Sequence, residues 1–238
     1  MMNFELNEEQ RLIGQSAREF AKEYLDPIAA ELDHGGEYPK EIIDRLAGYD
    51  FLGLLLPETA GGANAGAVAY IEVIEGISES CAAVATILNN HTLGALAIAE
   101  WGSETQKGDY LPPLAKGERL ATPAIYENGP APGIGADALL ASRQGGNYVL
   151  NGVKTFVRNA GVADLYVVFA TLEPAADKKA FSVFLVDGRT PGLKVGPAWK
   201  PWALTDVRWL ISPSTTSRCP QRRCWAANMA APPSRNRF

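Results

Sequence analysis

The chain has 238 residues, 47% hydrophobic and 21% charged, with a net charge of −5. Those are globular values, and the length suits one large or two modest domains. Residues 1–207 hold 16 Lys+Arg against 27 Asp+Glu, and so acidic a body argues against binding nucleic acid through its phosphates. Cys81 is the one cysteine before residue 219, so no disulfide framework is expected and a reducing, cytoplasmic setting is. The opening stretch MMNFELNEEQ is acidic and lacks an apolar segment, so no signal peptide is expected. No apolar run reads as long enough to span a bilayer.

In chain order, Asn7 and Gln10 stand at capping-box spacing before a helical pattern. Leu12, Ile13, Phe20, Tyr24, Ile28 and Leu32, with Ala17 and Ala21 between them, recur at three and four and predict one buried helix face. Pro27 should kink or split that helix. Pro39 opens a second short helix and Gly48 stops it. The run LGLLLPETAGGANAG is apolar and then Gly-rich, a loop. The next 36 residues, from Ala67 to Gly102, read as two helices broken near Ser78–Ser80. SETQKGDYLPPLAKGE reads as a short helix followed by a Pro turn.

The period then changes. YVLNGVKTFVRNA, ADLYVVFATL, AFSVFLVDG and LKVGPAW are short runs rich in Val, Phe and Tyr, bounded by Gly, Asn, Asp or Pro. That is strand patterning at hairpin spacing. The expectation is an α+β chain. Residues 1–120 form a helical domain, residues 121–208 an antiparallel, β-barrel-like domain, and residues 209–238 an irregular, disordered tail.

Chemistry is sparse in these patterns. GIGADA, Gly133 to Ala138, fits a loose dinucleotide fingerprint but lacks the strand before and the helix after it, so it reads as a loop. His34 and His91 have no ligand-spaced partners and read as surface or packing residues, with no metal. Glu58, Glu72, Glu75 and Glu127 are each possible bases, but a solvated face is the default. NGVKTFVRNAG places the aromatic Phe156 after an Asn-Gly turn, either as a hairpin edge or as a flat surface against a planar ring.

Taken in order, these segments resemble the acyl-CoA dehydrogenase family of flavoproteins from about residue 4 to about 207. LNEEQRLIGQSAREFAKEYLDPIAAELD is similar to its first helices, and LGLLLPETAGG resembles its Leu-Pro-Glu-x-x-Gly-Gly turn. YLPPLAKGE is similar to its entry into the β domain. YVLNGVKTFVRNAGVADLYVVFA resembles its Leu-Asn-Gly-x-Lys stretch, and FSVFLVDGRTPGLKV its strand ending in Thr-Pro-Gly.

The resemblance implies a helical domain, a middle β domain and a further four-helix domain, with FAD between the last two. It also implies α,β-desaturation of an acyl-CoA, in which a Glu takes the α-proton and the β-hydride passes to FAD. An electron-transfer flavoprotein would be the acceptor and the full-length protein a homo-oligomer. By resemblance, Ile125, Tyr126, Glu127, Phe156, Val157 and Arg158 face the flavin, some through backbone atoms. Tyr126 stands where the family has Thr, Phe156 where it has Trp and Arg158 where it has a second Thr. The Arg158 charge near the ring puts ordinary desaturation in doubt. None of the family's catalytic Glu positions falls within residues 1–238, so no catalytic residue is assigned and the chain is expected to be truncated and inactive. A flavin-dependent monooxygenase of the same fold, or a non-catalytic scaffold, are the alternatives.

Residues 209–238 contain five Arg and no Asp or Glu, and they lack the family's Asp-Leu-x-Phe-Asp-Asp-Val-x-Val-Pro strand. Read one base out of register from Trp209, with G+C-rich wobble bases, the same codons give ADLTFDDVEVPAEAVLGGEYGGAPVAESL. The tail is therefore read as an out-of-frame product, against the alternative of a genuine disordered basic tail.

Overall fold

A computed structural model describes residues 5–35, 38–128, 138–173, 181–196, 217–220 and 224–225. The chain divides into two compact units, the first running to Thr122 and the second beginning at Pro123. The first is helical and the second is built on a sheet, so the α+β order expected from the sequence is the one observed.

Helix α1 (Glu8–Phe20) starts on the expected capping box. The Asn7 side chain accepts from the Gln10 N–H at 2.8 Å, and the Gln10 side chain accepts from the Asn7 N–H at 3.0 Å. A π-helical turn, Ala21–Leu25, follows, and Pro27 lies in the turn before α2 (Ala29–Gly35). The π turn corrects the expected buried face. Its extra residue per turn carries Leu25 onto the stripe of Ala17, Phe20 and Ala21, while Leu12 is left exposed.

Helix α3 is Lys40–Gly48, as Pro39 and Gly48 suggest. Helices α4 (Gly66–Ser80) and α5 (Ala82–Trp101) break at Cys81, whose extended backbone ends one and begins the other. Gly14 on α1 and Gly76 on α4 let those helices meet closely. A Cβ on Gly14 would lie 2.8 Å from a Glu72 carboxylate oxygen, and one on Gly76 would lie 3.0 Å from Arg18 Cγ. Phe20 packs edge-on to Tyr49 and Phe51, with ring centroids 5.1 and 6.0 Å away.

Helix α6 (Glu104–Ala115) does not stop before its prolines, as expected, but runs through Pro112 and Pro113. Gly108 and Asp109, whose carbonyls lose those N–H partners, sit on the exposed face where water can replace them. α5 also corrects an expectation, because by length and composition alone it could cross a membrane. Its Val84, Ile87, Leu88, Ala95 and Ile98 are buried within the helical unit, as in the core helix of a globular domain.

The second unit contains β1 (Ala121–Ala124), which straddles the boundary, β2 (Leu140–Gln144), β3 (Asn147–Asn151), β4 (Leu165–Glu173) and β5 (Phe181–Asp187). β6 (Ser217–Pro220) and β7 (Cys224–Trp225) complete the order β6-β3-β2-β4-β5-β7, with β1 paired to β4 off that path. β2 and β3 form a hairpin around Gly145 and Gly146, with Gly145 at φ 62°.

The expected antiparallel pairing holds for β2–β3, β4–β5, β3–β6 and β5–β7, but β2 and β4 run parallel. The reason is topological. β4 is added on the far side of β2 from β3, so the connection Gly152–Asp164 has to pass the lead-in to β2. It passes closely, since a Cβ on Gly152 would lie 2.6 Å from Leu139 Cα.

Two further expectations are corrected. Residues 152–164 are not a strand after an Asn-Gly turn. They form an irregular connection in which Phe156 (φ 53°), Asn159 (φ 58°) and Gly161 (φ 85°) take left-handed backbone. The tail is not wholly irregular either, because β6 pairs with β3 and β7 with β5. Ladder bonds use main-chain groups, so a segment with no side-chain alternation can still complete a sheet edge.

Candidate functional site

Two segments of the second unit are tied side by side: Ile125–Glu127, just after β1, and Lys154–Arg158 in the connection between β3 and β4. The Tyr126 carbonyl accepts from the Thr155 N–H at 2.8 Å. Lys154 Nζ donates to the Ile125 carbonyl at 2.9 Å and to Glu127 Oε1 at 2.6 Å. The same carboxylate oxygen accepts from the Leu139 N–H at 2.9 Å. Glu127 therefore holds Leu139, which leads into β2, as well as Lys154.

The ion pair is almost completely buried, with side-chain exposures of 2% for Lys154 and 1% for Glu127. Burial pushes the Lys154 pKa down, and the hydrogen bond and charge of Glu127 oppose that. Taking two charges out of water costs several kcal/mol per ion unless the pair is close and its remaining polar atoms are bonded. The Ile125 carbonyl and the Leu139 N–H help meet that condition.

On this clip stand two large aromatics that face solvent, Tyr126 at 56% and Phe156 at 49% exposure. Neighbouring Val157 is buried in the sheet core with Ala124, Leu139 and Val168, which anchors the Phe156 backbone. Arg158 is half-buried. Burial pushes its guanidinium below its ordinary value, and the nearby Tyr126 opposes the shift.

The expected site residues therefore assemble in one place, with differentiated roles. Tyr126, Phe156 and Arg158 present side chains. The Val157 side chain is committed to the core, so only its backbone is left to meet a ligand. The Glu127 carboxylate is neither on a solvated face nor placed to act as a base, since it is occupied by Lys154 and Leu139. Glu72 and Glu75 lie 3.3 and 3.7 Å from Arg18. Among the histidines, His34 is exposed, with Nδ1 2.6 Å from the Ala30 carbonyl, and His91 is fully buried. Most of the GIGADA stretch lies outside the described residues.

Sequence reasoning met Lys154 only as the Lys of the Leu-Asn-Gly-x-Lys stretch and missed its buried pairing. A lysine between Val153 and Thr155 looks like the exposed position of a strand, and its partner lies 27 residues away. The Gly145–Gly146 pair between β2 and β3 was a legible hairpin signal that the strand reading passed over.

A helical unit followed by a sheet-built unit is the domain order of the acyl-CoA dehydrogenase fold. The model of the acyl-CoA dehydrogenase N-terminal domain matches residues 7–118 and that of the middle domain residues 133–211, and the chain belongs to the acyl-CoA dehydrogenase family. It is 37% identical over 196 residues to the short-chain-specific acyl-CoA dehydrogenase of Clostridium acetobutylicum, covering 82% of this chain and 52% of that protein. The structure of butyryl-CoA dehydrogenase from Megasphaera elsdenii superposes with a TM-score of 0.85 at 28% identity, covering 94% of this chain and 60% of that one. A structure described as the electron transferring flavoprotein of Acidaminococcus fermentans matches with a TM-score of 0.86 at 28% identity, over 94% of this chain and 59% of that one. The chain spans about half the length of the curated relatives it matches.

Proposed function

We propose that the chain is an acyl-CoA dehydrogenase-like flavoprotein acting in α,β-desaturation of an acyl-CoA thioester. Ile125, Tyr126, Glu127, Phe156, Val157 and Arg158 are its side of an FAD site. The observation that carries this reading is the pair of exposed aromatics, Tyr126 and Phe156, on segments locked by the Tyr126–Thr155 and Lys154–Glu127 bonds. Exposed rings on fixed backbone suit a planar ring system, because stacking on it removes apolar surface from water at little entropic cost. The donor set fits as well, since Arg158 offers a guanidinium beside Tyr126.

FAD, when bound, supplies the hydride acceptor. The chain's own residues bind and orient it. Phe156 and Tyr126 offer ring faces, Ile125 and Val157 offer backbone atoms, and Glu127 holds the two segments in register. Arg158 places a positive charge where negative charge on a reduced ring would be stabilised. No residue of the chain is assigned as the proton acceptor, so the first test is binding rather than turnover.

The partners consistent with this reading are an acyl-CoA substrate, an electron-transfer flavoprotein as electron acceptor and further copies of the chain in a homo-oligomer. The likeness to the Acidaminococcus fermentans structure and to a short-chain-specific acyl-CoA dehydrogenase supports the first two. The Cys81 thiol, buried and in no disulfide, suits a reducing cytoplasm.

The test is titration of the purified chain with FAD, followed by flavin absorbance and fluorescence. Saturable binding with a perturbed visible spectrum is expected. No binding at any accessible concentration overturns the reading, and tight FMN binding without a response to acyl-CoA favours the monooxygenase alternative.

A further inference from the structure

We infer that Glu127 and Lys154 form a positioning pair whose task is to set Tyr126 and Phe156 at a fixed separation for the flavin. The inference rests on the FAD reading above and goes beyond it, because neither side chain of the pair is required to touch the ring.

The argument begins with what each bond fixes. Lys154 Nζ reaches back to the Ile125 carbonyl and to Glu127 Oε1, one residue on either side of Tyr126. Between them the Tyr126 carbonyl accepts from the Thr155 N–H, one residue before Phe156. Tyr126 thus lies between two bonded neighbours and Phe156 directly follows bonded Thr155, so the two segments cannot slide past each other without breaking one of these bonds. The Leu139 N–H on Glu127 Oε1 adds a third strand of chain to the same carboxylate, so the clip is referred to the sheet through β2.

A hydrophobic cluster would not serve equally well. Apolar packing is non-directional and tolerates sliding, whereas a short, charge-assisted hydrogen bond in a buried setting specifies distance and angle. Phe156 also needs such support. A bulky residue with φ at 53° is intrinsically unfavourable and persists only where its surroundings over-determine it. Bonded Thr155 precedes it and buried Val157 follows it.

The experiment uses the full chain and a neutral double variant, Glu127→Gln with Lys154→Gln. Two amides can still hydrogen-bond, and no uncompensated charge is left in the interior. Lys154→Arg serves as the conservative rescue. FAD dissociation constants and the visible circular dichroism of the bound flavin are measured, with folding checked by far-ultraviolet dichroism. The double variant should fold, bind FAD at least tenfold more weakly and change the sign or intensity of the flavin bands. Lys154→Arg should restore most of both.

In the flavin-free chain, amide exchange at Thr155 and Leu139 should speed up at least tenfold in the double variant, while the amide of Leu185 in β5 keeps its protection. A folded double variant with parental affinity, flavin dichroism and amide protection overturns the inference and leaves the FAD reading standing. A parent chain that binds no FAD overturns the FAD reading, and the inference falls with it. If the double variant does not fold, Glu127→Gln alone decides: a folded variant with weaker FAD binding, altered flavin bands and faster exchange at Leu139 supports positioning, and a folded variant with parental affinity, bands and exchange overturns it.

Discussion

The imidazole Nδ1 of His91, in the middle of α5, accepts a hydrogen bond from the Ala121 N–H at 3.2 Å. An accepting nitrogen carries no proton, so this bond requires a neutral ring.

A pH dependence follows. His91 is fully buried, and burial pushes its pKa from 6.5 down to about 4. The unfolded chain takes up a proton below about pH 6.5, and the folded chain does so only near pH 4. The stabilising contribution is therefore complete above pH 6.5 and disappears as the pH falls to 4, a loss on the order of 3 kcal/mol. Urea midpoints of the parent should fall across that window, and those of His91→Gln should fall less steeply. Equal slopes in the two proteins would show that His91 does not carry the effect.

Phe156→Gly should separate stability from binding. Relief of the left-handed strain at this position gains about 1 kcal/mol, and removing a half-exposed ring loses a comparable amount. The urea midpoint should move little, while FAD binding weakens tenfold or more. A variant that is markedly less stable but binds FAD normally would place Phe156 in the core rather than at the ring.

Arg158→Thr should alter the flavin itself. Removing a nearby positive charge makes a reduced, anionic ring less favourable, so the two-electron midpoint potential of the FAD-loaded chain should fall by roughly 30 mV, equivalent to about 1.4 kcal/mol. Spectroelectrochemical titration reads this directly. Identical potentials would place the guanidinium away from the ring.

The tail carries a genetic prediction. The middle-domain match ends at residue 211, shortly after the basic, irregular composition begins. The DNA following codon 209, read one base out of register, should encode an Asp-Asp-Val-x-Val-Pro-like peptide. Codons that give no such peptide would refute the out-of-frame reading, and the pairing of β6 and β7 would then belong to a tail of independent origin.

What the sequence revealed and what it hid divide by range. The Asn7–Gln10 cap, the stop at Gly48 and the break at Cys81 are decided by residues within a turn or two of each other, and all were legible. Leu25 was left out of the predicted face because periodicity assumes 3.6 residues per turn, and the π turn at Ala21–Leu25 departs from it. At the candidate site, Phe156 stood out as a flat surface for a planar ring, but the role of Glu127 did not. The carboxylate's commitment to Lys154 and Leu139 and the left-handed backbone of Phe156 arise from long-range packing that no local pattern encodes.

The parallel pairing of β2 with β4 has a consequence for how the second unit acquires its structure. Leu140 meets Thr171 only after the chain between them has turned back, whereas the β2–β3 hairpin closes across two glycines. Closing the longer loop costs more chain entropy before any bond repays it. The hairpin can form early, on its own, and the arrival of β4 is the slower event. Because the Gly152–Asp164 connection is the chain that must be laid down in that step, the aromatic clip is assembled after the hairpin, and a chain caught midway would have its hairpin but no site.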